Sequence, residues 1–315
     1  MFYSVIIPVY NRPDELDELL DSLTRQTYTD FEVIVVDDGS LTPCKNIVEK
    51  YREKLRVRYY YKSNSGPGLS RNYGAGKSKG GYLVFLDSDC IVPPQYLANV
   101  EQELAAGKVD FFGGPDKAHS SFSNIQKAIN YSMTSMLTTG GIRGSGKRIT
   151  AFHPRSFNMG IRKKVFEQAG GFSEMRFGED IDFSINVISS GYSSRLFTGA
   201  WVYHKRRTDL KKFFKQIFNS GIARINLYKR HPKSLKPVHF FPALFTLYLF
   251  VSLFLSFLWW FISLPVCLFA VLIFIDALVK TKSITISLLS VSASFIQLFA
   301  YGSGFLYAFI KNLVL

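Results

Sequence analysis

The sequence predicts an α/β fold, a mostly parallel sheet flanked by helices, followed by helices that cross a membrane. Three observations predict it. Short apolar runs ending in acidic or turn-forming residues alternate with helical periodicity over residues 3–203. The stretch Tyr82–Cys90, YLVFLDSDC, carries four consecutive apolar residues straight into Asp87-Ser88-Asp89, the pattern of a strand buried on both faces at a parallel-sheet centre. From Val238 to Ile275 there is no Asp, Glu, Lys or Arg, and Ile284–Ile310 repeats that character.

Taken in order, Tyr3–Val9 reads as a first strand ending in Pro8-Val9-Tyr10-Asn11. Asp14 to about Gln26 reads as a helix with Leu16, Leu19, Leu20 and Leu23 on one face. Phe31–Val36 is a second buried strand closed by Asp37-Asp38-Gly39-Ser40. A helix is expected from Pro43 to about Lys54 and a strand over Val57–Tyr61. Ligands of open α/β sheets bind beyond the carboxyl ends of the strands, where these polar ends would lie, and a nucleotide is the natural occupant. Ser65-Gly66-Pro67-Gly68 would bring backbone close to a ligand, and Arg71 would sit in the first turns of the helix that follows. A surface turn with a solvated Arg71 is the simpler alternative.

Asp87 and Asp89 lie one residue apart at the end of a buried strand, so they repel each other and lose hydration. An oxygen-preferring cation, Mg²⁺ or Mn²⁺ with substrate phosphates completing its shell, relieves both costs. Capping of the helix that follows Pro93-Pro94 is the competing explanation. Helices are expected from Pro94 to about Ala106, from Ser120 to about Leu137 and over Lys163–Ala169, with strands at Val109–Gly113 and Ser156–Ile161. Thr138–Ile149, rich in glycine and basic residues, reads as a mobile loop ordered by substrate or as a plain linker. Gly178-Glu179-Asp180-Ile181-Asp182 then places three carboxylates at a helix start. The helix dipole favours them there, and one could serve as a general base. Tyr192–Tyr203 reads as one strand broken at Gly199. It ends at His204, a residue that is structural or a metal or phosphate ligand, before Lys205-Arg206-Arg207.

The formal net charge of +14 suits nucleotide phosphates, nucleic acid or an anionic membrane surface. No RNA-recognition motif, zinc knuckle or helix-turn-helix spacing is present, so nucleic acid is not expected as a partner. Three scattered cysteines without C-x-x-C spacing fit a reducing compartment. The stretch MFYSVIIPVYN has neither the basic leader nor the apolar length of a signal peptide, so the N-terminal region is expected to stay in the cytosol.

Asp209 opens a helix in which Leu210, Phe213, Ile217, Ile222 and Ile225 alternate with lysines and arginines, a basic amphipathic pattern suited to lipid head groups or to an ordinary surface helix. The apolar tail suits three spans, at about 240–260, 263–280 and 284–310, since about 20 apolar residues cross a bilayer. Lys233, Lys236, Lys280 and Lys282 would share one side and orient the N-terminal domain to the cytosol, as in a multi-pass inner-membrane protein. The division expected is a catalytic domain over 1–208, a basic helix and linker over 209–237 and a membrane domain over 238–315.

The segments SVIIPVYNR, FEVIVVDDGS, GPGLSRNYG, YLVFLDSDC, FNMGIRKKVFEQAGGFSE and FGED, in this order and at these separations, resemble glycosyltransferase family 2, inverting enzymes of GT-A fold. The resemblance implies that Pro8, Tyr10 and Asn11 line the nucleotide-base pocket, with Asp38 binding the base and Arg71 nearby. It implies that Asp87 and Ser88 face ribose and sugar and that Asp89 holds the Mg²⁺ or Mn²⁺ on the diphosphate, with a looser match for His204. Asp180 matches the catalytic base and Glu179 an orienting residue. Processive members carry a Q-x-x-R-W signature, which is absent here, so transfer of a single sugar is expected. The tail resembles members acting on lipid-linked saccharides, so nucleotide-sugar donor, lipid-linked or saccharide acceptor and membrane lipids are the expected partners. The rival readings are a polyprenyl-phosphate glycosyltransferase and a catalytically silent membrane scaffold of the same fold.

Overall fold

The computed structural model describes residues 1–107, 109–119, 121–139 and 152–314. The glycine-rich stretch expected as a loop therefore lies outside the described residues, apart from Thr138 and Thr139. In chain order the elements are β1 (Tyr3–Val9), α1 (Pro13–Thr24), β2 (Phe31–Asp37), α2 (Lys45–Glu49), β3 (Val57–Tyr61), α3 (Pro67–Lys77), β4 (Tyr82–Leu86), β5 (Cys90–Ile91), α4 (Tyr96–Ala105), β6 (Phe111–Gly113) and β7 (Asp116–Lys117). After them come α5 (Asn124–Thr134), α6 (Met136–Thr139), β8 (Asn158–Arg162), α7 (Lys163–Gln168), α8 (Glu179–Ser189), β9 (Ser194–Leu196) and β10 (Val202–His204). The chain ends with α9 (Leu210–Arg230), α10 (Phe241–Leu255), α11 (Leu264–Thr281) and α12 (Ile284–Val314).

Seven strands form one sheet in the order β3-β2-β1-β4-β8-β6-β9. The first four are parallel, joined by the β-α-β units read from the sequence, and β8 runs antiparallel to both β4 and β6. Every residue of β1, β2 and β4 is buried, which is why these strands read as unbroken apolar runs. Alternate side chains feed two cores. Val5, Ile7, Val33 and Val84 pack with Leu16, Leu19, Leu20 and Leu97 on one face, and Ile6, Ile34, Leu83 and Phe85 with Phe166, Phe172 and Phe183 on the other. A small ribbon, β5-β10-β7, pairs His204 with Cys90 and so ties the end of the Asp87–Asp89 stretch to the end of β10.

Three expectations are corrected. The helix read over 43–54 is helical only at Lys45–Glu49. Tyr192–Tyr203 is two strands rather than one: β9 joins β6 in the large sheet and β10 joins the ribbon, so the chain turns at Thr198–Gly199 to change partners. The third concerns the division at 208. The structure separates into two compact units, Met1–His119 with Ala151–His204, and Ser120–Thr150 with Lys205–Leu315. The segment holding α5 thus goes with the tail, because Ala128, Ile129 and Met133 share a core with Phe213, Ile217, Ala293 and Ala300.

Within this second unit α9 packs along α12. A Cβ on Gly221 would lie 2.2 Å from the Tyr301 carbonyl and one on Gly304 2.0 Å from that of Phe218, so only glycine allows this approach. The apolar face of α9 is taken up by α12 rather than left for lipid, while Lys211, Lys212 and Lys215 stay exposed. Three helical stretches, Pro237–Leu255, Trp260–Thr281 and Ile284–Asn312, are long and apolar enough to cross a membrane. They expose large apolar side chains, among them Leu253, Phe254, Trp260 and Val279.

Candidate active site

The site grows from the carboxyl ends of β1, β2 and β4. At the end of β2 two adjacent aspartates have different surroundings. Asp37 accepts from the backbone N–H of Ser40 and Cys44, both at 2.9 Å, and from the Tyr59 hydroxyl at 2.8 Å. Burial opposes its charge, yet these hydrogen bonds together hold its carboxyl below the usual range. Asp37 therefore fastens the turn. Asp38 instead faces the next segment, accepting from Lys62 Nζ at 2.5 Å, Ser65 N at 2.9 Å and Gly66 N at 2.8 Å. Gly66 has a φ of +94°, which a side chain would strain, and it opens α3. Asn11 is itself left-handed (φ +53°) and accepts through its side chain from Leu41 N at 2.8 Å, tying the β1 end to the β2 turn. Pro8 is buried in β1, and Tyr10 is exposed.

Arg71, 2% exposed, is the hub of the second cluster. It donates to Asp87 at 2.5 Å and to Glu179 at 3.0 Å, with its guanidinium 5.4 Å from the Phe172 ring centre. It thus joins α3, the end of β4 and the start of α8, and is not the solvated surface residue of the simpler alternative. The glycine that permits close packing here is Gly68: a Cβ would lie 3.1 Å from the Glu179 side chain, so what approaches the start of α3 is α8. Asp180 accepts from Arg155 Nε at 2.6 Å and from its neighbour Ile181 N at 2.8 Å. Burial opposes the Asp180 charge too, but Arg155 holds its carboxyl below the ordinary range. Burial first, and then the Asp180 charge, push the Glu179 carboxyl up to about 7 against the pull of Arg71. Two adjacent carboxyls at one helix start are therefore driven apart. At neutral pH Asp180 is ionised, and Glu179 is the member of the pair that takes up a proton first. Asp182 is fully buried.

The third cluster lies where β5 meets β10. Asp89 Oδ1 stands 3.1 Å from His204 Nε2, and Asp89 Oδ2 accepts from Arg12. The imidazole stacks on Phe157, ring centres 4.8 Å apart, and its Nδ1 lies 4.0 Å from Asp116. Ligand atoms of Asp89, Cys90 and His204 fall within 4.8 Å of one another, a grouping that could hold a metal ion. Burial raises the Cys90 thiol well above its ordinary range, Sγ lies 3.4 Å from the Phe157 carbonyl oxygen, and a soft sulfur suits Mg²⁺ or Mn²⁺ less well than oxygen or imidazole. A carboxylate oxygen and an imidazole nitrogen remain, a donor set that fits Mn²⁺ or Mg²⁺ sharing its shell with phosphate. Ser88 is buried between the two aspartates.

Six of the sequence-predicted residues thus gather in three groups, Asp38 with the start of α3, Asp87 with Arg71 and Glu179, and Asp89 with His204, while Asp180 pairs with Arg155. Sequence reading missed Arg12, Lys62 and Arg155, which each neutralise a carboxylate of the site. Arg12 at least had a signal, since it directly follows Asn11 at a strand end. Arg155 had none beyond its charge.

The mixed sheet flanked by helices, with acidic residues at strand ends and at a helix start, matches solved structures of GT-A fold. Residues 4–170 match the profile of Glycosyl transferase family 2, more than half of the chain, and the chain belongs to that family. It is similar to the glycosyltransferase AglE of Haloferax volcanii, 28% identical over 254 residues, 75% of this chain and 77% of that one. Staphylococcus aureus TarS resembles it at 25% identity with a TM-score of 0.53, covering 72% of this chain and 40% of TarS. The fold also matches the mannosyltransferase PcManGT of Pyrobaculum calidifontis, solved with GDP-Man and Mn²⁺: TM-score 0.66 at 16% identity, over 93% of this chain and 86% of that one. Curated relatives that are 41–44% identical match over only 86–101 residues, and the chain spans 12–24% of their length.

Proposed function

We propose that this chain transfers a single sugar, with inversion, from a nucleoside-diphosphate sugar of the UDP class to a hydroxyl of a lipid-linked saccharide at the inner membrane, its catalytic unit facing the cytoplasm. Support for a nucleotide-sugar donor comes from similar proteins: a structure of S. aureus TarS 1–349 holds UDP-GlcNAc, and PcManGT holds GDP-Man. The observation that carries the reading is the pairing of Asp89 with His204, with the Asp87–Arg71–Glu179 bridge as a second acidic cluster, because an aspartate–histidine pair suits a cation held on a diphosphate.

In this reading Pro8, Tyr10, Asn11 and Asp38 receive the base, Asp87 and Ser88 the ribose and sugar, and Asp89 and His204 would hold Mn²⁺ or Mg²⁺. When bound, that ion supplies positive charge for the departing diphosphate. Asp180 takes the proton of the acceptor hydroxyl as its oxygen bonds to the anomeric carbon. The bond from that carbon to the phosphate oxygen breaks, and its electron pair leaves with the nucleoside diphosphate. Arg155 keeps Asp180 ionised and oriented, and Glu179, fixed by Arg71, stands beside it. An exchange of these roles is the second reading, since Glu179 is buried next to Asp180 and both effects raise its carboxyl towards the range in which a base works at neutral pH. Comparing D180N with E179Q decides between them, since only loss of the base abolishes transfer while donor binding persists.

For the membrane half, residues 120–150 and 205–315 hold 18 Lys and Arg against 2 Asp and Glu, so the unit carrying the apolar spans is strongly basic. Such a unit binds anionic lipid. Nucleoside diphosphate release with a membrane lipid extract as acceptor tests the whole reading. A sugar–lipid monophosphate product would instead identify a polyprenyl-phosphate glycosyltransferase.

A further inference from the structure

Arg12 has so far been given only the neutralising of Asp89, the carboxylate assigned above to the metal. It follows the left-handed Asn11 at the β1 end and donates through Nη1 to Asp89 Oδ2. The other oxygen of Asp89 faces His204 Nε2 at 3.1 Å, so one carboxylate stands between two of the protein's own nitrogen groups. The two members of the Arg12–Asp89 pair differ in access: the Arg12 side chain is 30% exposed and that of Asp89 8%. The aspartate is fixed, and the guanidinium head can leave.

Two cations cannot share Asp89 comfortably. A divalent ion entering beside Asp89 and His204 meets the Arg12 charge at close range in a largely dry setting, where repulsion is poorly screened. A nucleoside diphosphate offers Arg12 a second anionic partner, and a planar guanidinium suits phosphate oxygens with paired hydrogen bonds. Resting on the metal assignment made above, we propose that Arg12 is a ligand of the donor diphosphate that is parked on Asp89 in the donor-free protein. Divalent metal and Arg12 then exchange on that carboxylate as donor arrives. Metal alone binds weakly, nucleotide strengthens metal binding, and by linkage metal strengthens nucleotide binding through the same coupling. Arg12 is thereby a positioning residue for the ion and a binding residue for the phosphates.

The test uses the full chain in detergent and follows Mn²⁺ binding through loss of the free-ion electron paramagnetic resonance signal, with and without UDP. R12M is expected to bind Mn²⁺ roughly tenfold more tightly than the parent without UDP, and the strengthening by UDP is expected to shrink by a similar factor. R12K, which keeps the charge, is expected to stay near the parent without UDP, and it carries the test through UDP coupling should R12M fail to fold. An R12M affinity equal to or weaker than the parent's without UDP overturns the proposal, and so does unchanged UDP coupling in both variants. If UDP-supported Mn²⁺ binding is present in the parent and lost in D89A while R12M behaves as parent, the Arg12 exchange alone is wrong. Mn²⁺ that binds no variant, with or without UDP, overturns the metal assignment and this proposal together.

Discussion

Replacing Glu179 with Gln should change how stability depends on pH in a way that follows from the site geometry. Glu179 is buried against Asp180, and its carboxyl is raised from the ordinary 4.5 to about 7. A carboxyl raised in the folded state binds its proton more tightly there than in the unfolded chain. Its contribution to stability is therefore fully present below pH 4.5 and is lost as pH rises through 7. A shift of that size corresponds to about 3 kcal/mol across the window. Gln keeps an acceptor for Arg71 Nη1 but cannot ionise, so E179Q should lose this slope. Thermal unfolding of the detergent-solubilised protein from pH 4.5 to 8 provides the assay. The parent should lose stability towards pH 8 relative to E179Q, while the two converge below pH 5. Asp180 bends the parent curve only lower down, because its depressed carboxyl contributes stability above pH 3.8 that is lost in acid. Parallel curves for the two proteins, or a parent that gains stability relative to E179Q over this window, would refute the reasoning.

Other consequences are equally open to measurement. D180N should abolish sugar transfer while UDP binding by calorimetry stays within about threefold of the parent, because Asn keeps the shape and loses the proton acceptor. D89A should remove the difference between UDP titrations with and without Mn²⁺, and a persisting Mn²⁺ dependence would exclude Asp89 as its ligand. R71M should lower unfolding stability by about 2 kcal/mol at neutral pH, below the usual cost of breaking a buried pair, because Asp87 is partly solvated and Glu179, its carboxyl already raised, takes up a proton once its cation is gone. Its chemical-denaturation midpoint, compared with that of R71K, measures this.

Much of the catalytic fold was legible because buried parallel strands write themselves as unbroken apolar runs. Tyr3–Val9 and Val57–Tyr61 begin and end in the structure where the sequence placed them. Asp87, Asp89, Glu179 and Asp180 were legible for a related reason: carboxylates directly after a buried strand or at a helix start are conspicuous by position. Their partners were not. Arg12 meets Asp89 across 77 positions and Arg71 meets Glu179 across 108, and no local periodicity encodes such encounters. The two-residue strands β5 and β7 are too short to carry an alternation, so the ribbon that joins His204 to Cys90 left no trace. Helix α5 misled in another way. Ala128, Ile129 and Met133 have the spacing of any amphipathic helix, and the pattern does not say whether a sheet or another helix will cover them.

The most direct measurement is nucleoside diphosphate release from a panel of sugar nucleotides by the full chain in lipid, run with and without membrane lipid extract, beside D180N. The account predicts release that requires one donor class and the extract and that disappears in D180N. No release with any donor, or undiminished release by D180N, would contradict it.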